Sequence, residues 1–402
     1  MKRGWLSKPL GDVTTKIGSG ATPRGGRNAY KAAGISLIRS LNVYDDGFRE
    51  AKLARIDDSQ AEALSNVAVE PHDILLNITG ASVARCCLAP RDLLPARVNQ
   101  HVSIVRPIQG QLNSTYLHYM LISGTYKNRL LRTGEDGGST RQAITKTQLQ
   151  QFKIDYPESL EEQQRIVGIL DEAFAGIAAA KANYEANLQN ARALFESHLQ
   201  SVFSQRGDGW VEKTVGEIAD HSLGKMLDKA KNKGLPQPYL RNINVRWFNF
   251  DLTDLLEMRF LPDETSKYTV ERGDVVICEG GYPGRAAIWN GEHPIHFQKA
   301  LHRVRFHSPE HNKWFLYYLY LQETSGGLRQ YFTGTGIQHF TGQALKVFSL
   351  PIPPLPDLRR LVVRFETLQD ETQRLEAIYQ QKLDALEALK KSLLHDAFRG
   401  AL

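Results

Sequence analysis

The chain repeats itself once, in order, over nearly its whole length. Trp5 sits in GWLSKPLGDV and Trp210 in GWVEKTVGEI, 205 residues later. LIRSLNV at 37–43 returns as YLRNINV at 239–245, an offset of 202, and VEPHDILLNITG at 69–80 returns as VERGDVVICEGG at 270–281, an offset of 201. YLHYML from Tyr116 matches FLYYLY from Phe315 at an offset of 199. RQAITKTQLQQFKIDYP (141–157) pairs with IQHFTGQALKVFSLPIP (337–353) at 196, and LEEQQRIV from Leu160 pairs with LPDLRRLV from Leu355 at 195. The offsets shrink steadily, as two diverged copies with small loop deletions require. A repeat this long exceeds any solenoid unit and demands two copies of a whole module.

Each copy has one internal plan. Short apolar runs such as ISLIRSLNV, DILLNITG and HVSIVRP, or DVVICEGG and LHRVRF, are bounded by Gly, Pro and Asn/Asp and predict strands. An aromatic helix follows (TYLHYMLIS; KWFLYYLYLQ), then a proline-bearing stretch at Tyr156-Pro157 or Leu350–Pro356 that suits a boundary. Behind each boundary a long helix is expected, over about 161–204 and about 357–399. The second carries a heptad seam, Leu361, Phe365, Leu368, Leu375, Tyr379, Leu386, Leu389 and Leu393, and the first its counterpart, Ile166, Leu170, Ile177, Tyr184 and Leu194. The expected division is 1–157 and 207–354 for the β-rich modules, with 158–206 and 355–402 for the helices. The two helices are expected to pair with each other and leave outer faces for a partner protein.

Charge is uneven. Residues 1–157 hold 21 Lys and Arg against 13 Asp and Glu, while 207–354 hold 17 against 16. The first segment's excess of +8 therefore exceeds the whole chain's net +6, a weak footprint for a polyanion. Three cysteines, two of them adjacent at Cys86-Cys87, fit neither a disulfide framework nor metal-ligand spacing. MKRGWLSKPL has no apolar run behind its basic start, so no signal peptide is expected, and the cytoplasm is the expected compartment. Catalytic patterns are missing too. GSGATPRGG lacks the P-loop spacing, and no GxGxxG follows a strand. His293-Pro294-Ile295-His296 has no third metal ligand in frame. Asp73 and Asp274 open equivalent strands without a following Glu-x-Lys, and read as strand-start residues. No motif for amino-group methylation occurs.

With these residues in view, the chain resembles the specificity subunits of type I restriction–modification enzymes. The likeness rests on the repeated Trp-x-x-x-x-(Leu/Val)-Gly-(Asp/Glu) start, Ser19-Gly20-Ala21-Thr22-Pro23, the Ile/Leu-Arg-x-x-Asn motif at 38–42 and 240–244, and the Leu-Pro-Ile-Pro-Pro-Leu-Pro approach to the second helix. It also rests on the polar helix start Glu161-Glu162-Gln163-Gln164-Arg165, from which Pro356-Asp357-Leu358-Arg359-Arg360 departs. The second copy has GKMLDKAKNKG where the first has its Gly-x-Thr-Pro turn. The resemblance implies an α+β fold of two duplicated target-recognition domains separated by a long antiparallel two-helix coiled coil. Each module would read one half of a split site in double-stranded DNA. Two methyltransferase subunits would dock on the helices, and restriction–translocase subunits would join the larger complex. S-adenosylmethionine, ATP and Mg2+ would belong to those partners, and this chain would hold no cofactor or metal and perform no catalysis.

Reading DNA requires cations for phosphates and planar polar groups for base edges. Candidates in the first module are Arg24, Arg27, Arg39, Asn42, Arg85, Arg141 and Gln142, all in or beside Gly-rich or polar loops. Their counterparts in the second are Lys225, Lys229, Lys231, Arg241, Asn244, Tyr282, Arg285, Gln338 and His339. For each, a solvated surface charge or a turn residue is the competing reading, and a structural ion pair competes strongly at Arg39 and Arg241. Two rival functions remain open: a coiled-coil scaffold protein without DNA specificity, which leaves the basic loops unexplained, and a duplicated nuclease, which lacks a catalytic cluster.

Overall fold

The computed structural model describes residues 4–23, 25–135, 143–228 and 232–402. It divides into two compact units, one running to Tyr184 and taking in Gln381–Leu402, the other Glu185–Gln380.

The first unit is built around a four-stranded antiparallel sheet, in the order Thr14–Ser19, Val102–Pro107, Ile74–Asn77, Cys86–Leu88. Every residue of Ile74–Asn77 is buried, and the reason lies in what covers each face. Ile74 and Leu76 point into a core with Val105, Tyr116, Met120 and Leu121, whereas Leu75 points into a second core with Val102, Ile104, Leu37 and Val98. A strand covered on both faces reads as a continuous apolar run, not an alternation. Each such side chain taken from water contributes about 1.5–3 kcal/mol. The second core is closed by a three-stranded sheet, Ala54–Ile56, Ile35–Ile38, Ala96–Val98, whose last pair is parallel. The first is closed by helix Ser114–Ile122, whose N-cap Asn113 accepts from the Tyr116 amide at 3.0 Å. Trp5–Pro9 pairs with Lys153–Pro157, with Trp5 opposite Pro157, so the two ends of the module are hydrogen-bonded together.

The second unit repeats this plan. Its main sheet runs Ala219–Leu223, Leu301–Phe306, Val275–Cys278, Ala286–Ile288. Val275 and Ile277 face one core, and Val276 and Cys278 face the other. A smaller sheet again contains one parallel pair, Leu235–Leu240 with Ile295–Phe297. Val211–Thr214 pairs with Ser349–Ile352 to join the module's ends. The buried acid at the strand start also repeats. Asp73 accepts from Arg106 Nε at 2.7 Å and Nη2 at 2.8 Å and from the Glu70 amide at 2.7 Å. Asp274 accepts from Arg305 at 2.7 Å twice and from the Glu271 amide at 2.7 Å. These carboxylates are structural ion-pair partners.

Two long helices, α1 (Leu160–Ser204) and α2 (Leu355–Arg399), each contribute to both units. Within the first unit Lys390 lies over Phe174 and Lys382 over Tyr184. Within the second Arg192 pairs with Glu376 at 2.5 Å and His198 packs on Phe365. Partner numbers fall as α1 numbers rise, so the helices run antiparallel. Buried Ile166 and Leu170 meet Leu394, Ala397 and Phe398 in one unit, and Phe195, Leu199 and Phe203 join Leu358, Val362 and Phe365 in the other. Leu361, Leu368 and Leu393 pack on the edges of those clusters, and Ile177, Tyr184, Tyr379 and Leu386 are half-buried. The heptad reading needs correction at three positions. Leu194, Leu375 and Leu389 are 67%, 41% and 47% exposed, and beside Leu194 the buried residue is Phe195. A straight helix of 3.6 residues per turn drifts about 20° per heptad from a 3.5 repeat, so the buried face moves off the assigned stripe.

The start of α1 is tied to its module by Gln163. Its side chain is fully buried, accepts from the Asn113 amide at 2.8 Å and donates to Gln111 O at 3.1 Å and Pro157 O at 2.9 Å. At the equivalent place in α2 an apolar plug, Leu358, is 1% exposed, which accounts for the departure from the polar helix start.

Candidate nucleic-acid interface

In both units the central strand leaves the sheet through a glycine turn and returns at an arginine. Gly80 (φ +74°) and Gly281 (φ +77°) occupy the left-handed region that glycine adopts without strain. The return is set by matching backbone bonds, Asn77 N to Arg85 O at 2.8 Å and Cys278 N to Arg285 O at 2.8 Å. A second close approach repeats as well. A Cβ at Gly20 would lie 1.8 Å from Val98 O, and one at Gly224 would lie 2.2 Å from Gln298 O.

Around the first turn lies a cleft of about 580 Å³, lined by Ser40, Tyr44, Thr79, Ser82, Arg85 and His101 among others. The Arg85 guanidinium stands 4.9 Å over the Tyr44 ring. A polar relay runs beside it. Thr22 Oγ1 donates to Gln100 Oε1, and the Gln100 amide lies 3.2 Å from His101 Nε2. With Nε2 accepting, Nδ1 carries the proton and donates to Thr79 Oγ1 at 2.6 Å. Around the second turn, Arg285 stacks 3.9 Å over Tyr282, which is 56% exposed. His339 pairs through its backbone with Thr333 and Gly280, and its ring would meet a Cβ at Gly280 at 3.0 Å. Gln338 beside it is exposed. The fold thus gathers Tyr282, Arg285, Gln338 and His339 around one turn, and Arg85 around the other.

Other candidates are placed elsewhere. Asn42 and Asn244 are 0% and 1% exposed. Their amides are spent on local backbone, Asn42 on Arg39 N, Arg49 O and Ala51 O, and Asn244 on Arg241 N, Asp251 O and Asp254 O. They hold a turn, and a buried amide with its bonds made has nothing to offer a base edge. Lys225 is 7% exposed, ion-pairs Glu264, donates to Arg259 O at 3.0 Å and lies over Phe260. It is a core cation. Arg241 pairs with Asp254 at 2.7 Å, and Arg39 lies over Tyr30 and donates to Lys52 O. These two arginines fasten the same turn in each copy. Arg24, Arg141, Gln142, Lys229 and Lys231 lie outside the described residues, as does the side chain of Arg27.

Tyr44, Gln100 and His101 escaped the sequence reading. Tyr44 follows the repeated Asn-Val and carried a signal there, since the second copy has a cation, Arg246, at that position. Gln100 and His101 have no polar counterpart pair to mark them, because the second copy has Lys299-Ala300.

The site offers donors and stacked planes, and the neighbouring thiols are unsuited to nucleophilic work. Burial pushes Cys87 to about 12 and Cys278 to about 11, and Cys86 well above its ordinary value. Among the described residues no group of three or more His, Cys, Asp or Glu could hold a metal ion. Among them, too, no helix is long and apolar enough to cross a membrane.

Comparison with known proteins gives a consistent picture. The family model described as "Type I restriction modification DNA specificity domain" matches twice, over residues 2–188 and 207–393. The specificity subunit of the type I restriction enzyme StySPI from Salmonella potsdam is 21% identical over all of this chain and 90% of its own length. That of EcoKI from Escherichia coli (strain K12) is 22% identical over the same shares. Among solved structures, a chain from work on complex assembly and conformational transition of the type I R-M system superposes with a TM-score of 0.81 at 18% identity, covering 100% of this chain and 99% of that one. The HsdS subunit from Thermoanaerobacter tengcongensis gives 0.62 at 20% identity, covering 100% and 98%.

Proposed function

This chain belongs to the family of type I restriction–modification DNA specificity subunits, and from that premise we propose how its two copies divide the recognition of DNA. As a member it is a non-catalytic, sequence-specific DNA-recognition component. Residues 1–157 and 207–354 act as two target-recognition domains, each reading one half of a bipartite site in double-stranded DNA. Residues 158–206 and 355–402 act as spacer and as scaffold for two methyltransferase subunits, with restriction–translocase subunits joining the full complex. S-adenosylmethionine, ATP and Mg2+ act on those partners, and the chain itself works without a cofactor, in the cytoplasm.

The observation that carries this reading is the repeated turn. Two modules present, at the same backbone position, an arginine stacked on a tyrosine beside a glycine turn, Arg85 on Tyr44 and Arg285 on Tyr282. Stacking orients a guanidinium's donor fork, which is the requirement for reading a planar base edge. Of the candidates, Arg85, Tyr282, Arg285, Gln338 and His339 form the proposed reading surface, and Arg24, Arg27, Arg141, Gln142, Lys229 and Lys231 remain proposed contacts from the adjoining loops. The test is a module exchange. Residues 1–157 are replaced by the equivalent module of a relative, and methylated sites are mapped by sequencing in cells supplying the partner subunits. One half of the methylated motif changes and the other persists. If both halves change, or neither does, the division is wrong.

A further inference from the structure

The two stacked arginines have the same backbone position but not the same freedom. In the second module Arg285 Nη2 donates to Asn242 O at 2.8 Å, and Cys278 Sγ lies 3.6 Å from the same oxygen. In the first module the equivalent oxygen, Ser40 O, is taken by Asn77 Nδ2 at 2.9 Å. Asn77 stands where the second module has Cys278. An amide there does the anchoring that Arg285 must do in the other copy, and Arg85 is relieved of it.

The charges around Tyr44 point the same way. Asp45 is held by Lys127, at 2.7 and 2.6 Å to its two oxygens, and also accepts from the Cys86 amide at 3.1 Å. Asp46 is held by Arg49 at 2.6 Å. Arg49 lies 5.1 Å from the Tyr44 ring, much as Arg85 does at 4.9 Å. Of the three cations Lys127, Arg49 and Arg85, the first two take both acids. Among the described residues the Arg85 side chain meets no carboxylate and no hydrogen-bond acceptor, its backbone N–H alone donating, to Ser82 O at 3.2 Å. The side chain lies over the Tyr44 ring, is half-buried and lines the cleft.

Resting on the proposed division of recognition, we propose that Arg85 is a base-reading residue of the first module and selects a guanine in its half-site. A guanidinium lying over an aromatic ring, recessed and without an acceptor among the described residues matches the paired O6 and N7 acceptors of guanine in the major groove. A phosphate contact asks only for charge at the rim and needs neither the stacked plane nor the recess. Arg285, with one nitrogen already committed, is the more constrained of the pair.

The test uses the assembled complex with Arg85→Gln and Arg85→Lys. Lysine keeps the charge and loses the planar fork. Methylated sites are mapped by sequencing, and binding is measured on duplexes that differ at single positions of the first half-site. The expected result is that one guanine of that half-site becomes degenerate in both variants while the second half-site is unchanged. Discrimination at that position falls about 5- to 160-fold, the equivalent of one bidentate contact. Methylation that drops evenly at all sites with the motif intact overturns the proposal in favour of a phosphate contact. An unchanged motif at unchanged yield overturns it as well. If neither variant methylates, the duplex series decides, and parental ratios at every position of the first half-site sink the idea. The broader reading fails separately, if the module exchange leaves both half-sites as they were.

Discussion

The repeated carboxylate–guanidinium pair allows the cost of one lost charge to be compared at two depths in the same fold. Asp73 and Asp274 are both buried, at 0% and 2% exposure, and both accept two bonds from arginine and one from a backbone amide. The partners differ. The Arg106 side chain is 19% exposed and that of Arg305 is 40% exposed. Replacing either aspartate with alanine strands a backbone N–H and leaves the guanidinium with only a surface carboxylate, Glu70 for Arg106 and Glu271 for Arg305, at 57% and 51% exposure. Breaking a buried pair from one side costs about 3–5 kcal/mol when the remaining charge stays desolvated. That range applies to Asp73→Ala. After Asp274→Ala the more exposed Arg305 rehydrates, and the loss falls to about 1–3 kcal/mol, most of it from the unpaired amide. The expected difference of about 2 kcal/mol corresponds to about 30-fold in local opening. Hydrogen exchange of the full chain reads this strand by strand, at Ile74–Asn77 for one variant and Val275–Cys278 for the other, which removes any need for two-state melting of a two-unit protein. Equal acceleration of the two strands, or a larger effect of Asp274→Ala, would show that guanidinium solvation does not set the cost.

Two further expectations follow from the buried histidines and from the helices. His118 and His302 are each pulled down to about 4, chiefly by burial, and each has Nε2 within hydrogen-bonding distance of a backbone carbonyl, Cys86 O or Phe340 O. Their unfolded forms protonate near 6.5, so between about pH 6.5 and 4 the unfolded state binds more protons. Stability is therefore complete above pH 6.5 and declines as pH falls through that window, by about 2 kcal/mol per histidine at pH 5. Denaturant midpoints at pH 7.5 and 5.0 check this, and a His302→Gln variant with an undiminished pH dependence would refute that residue's share. Inserting seven residues after both Tyr184 and Tyr379 lengthens each helix by about 10 Å, or roughly three base pairs of duplex. If the helices space the two reading modules, the unspecified gap in the methylated motif grows while both half-sites persist, and an active complex with an unchanged gap contradicts the spacer role.

The duplication, the α+β class and the long helices were legible in the sequence because each is written in local pattern. Ordered repeats reveal two modules, and apolar runs without alternation reveal strands covered on both faces, as Ile74–Asn77 and Val275–Cys278 are. Three of the seam positions, Leu194, Leu375 and Leu389, were legible only approximately, since helical drift turns them outward. The polar candidates were a different matter, because whether a cation or amide is free depends on partners far along the chain. Lys225 is consumed by Glu264, 39 residues away, and Arg241 by Asp254, 13 away. Arg85 and Arg285 look alike in sequence. Only the fold, by setting Asn77 against Ser40 O across 37 residues where the weaker Cys278 thiol shares Asn242 O with Arg285, decides that one guanidinium holds the scaffold while the other meets no acceptor among the described residues. Periodicity is a property of neighbours in the chain, and hydrogen-bond satisfaction is a property of neighbours in space.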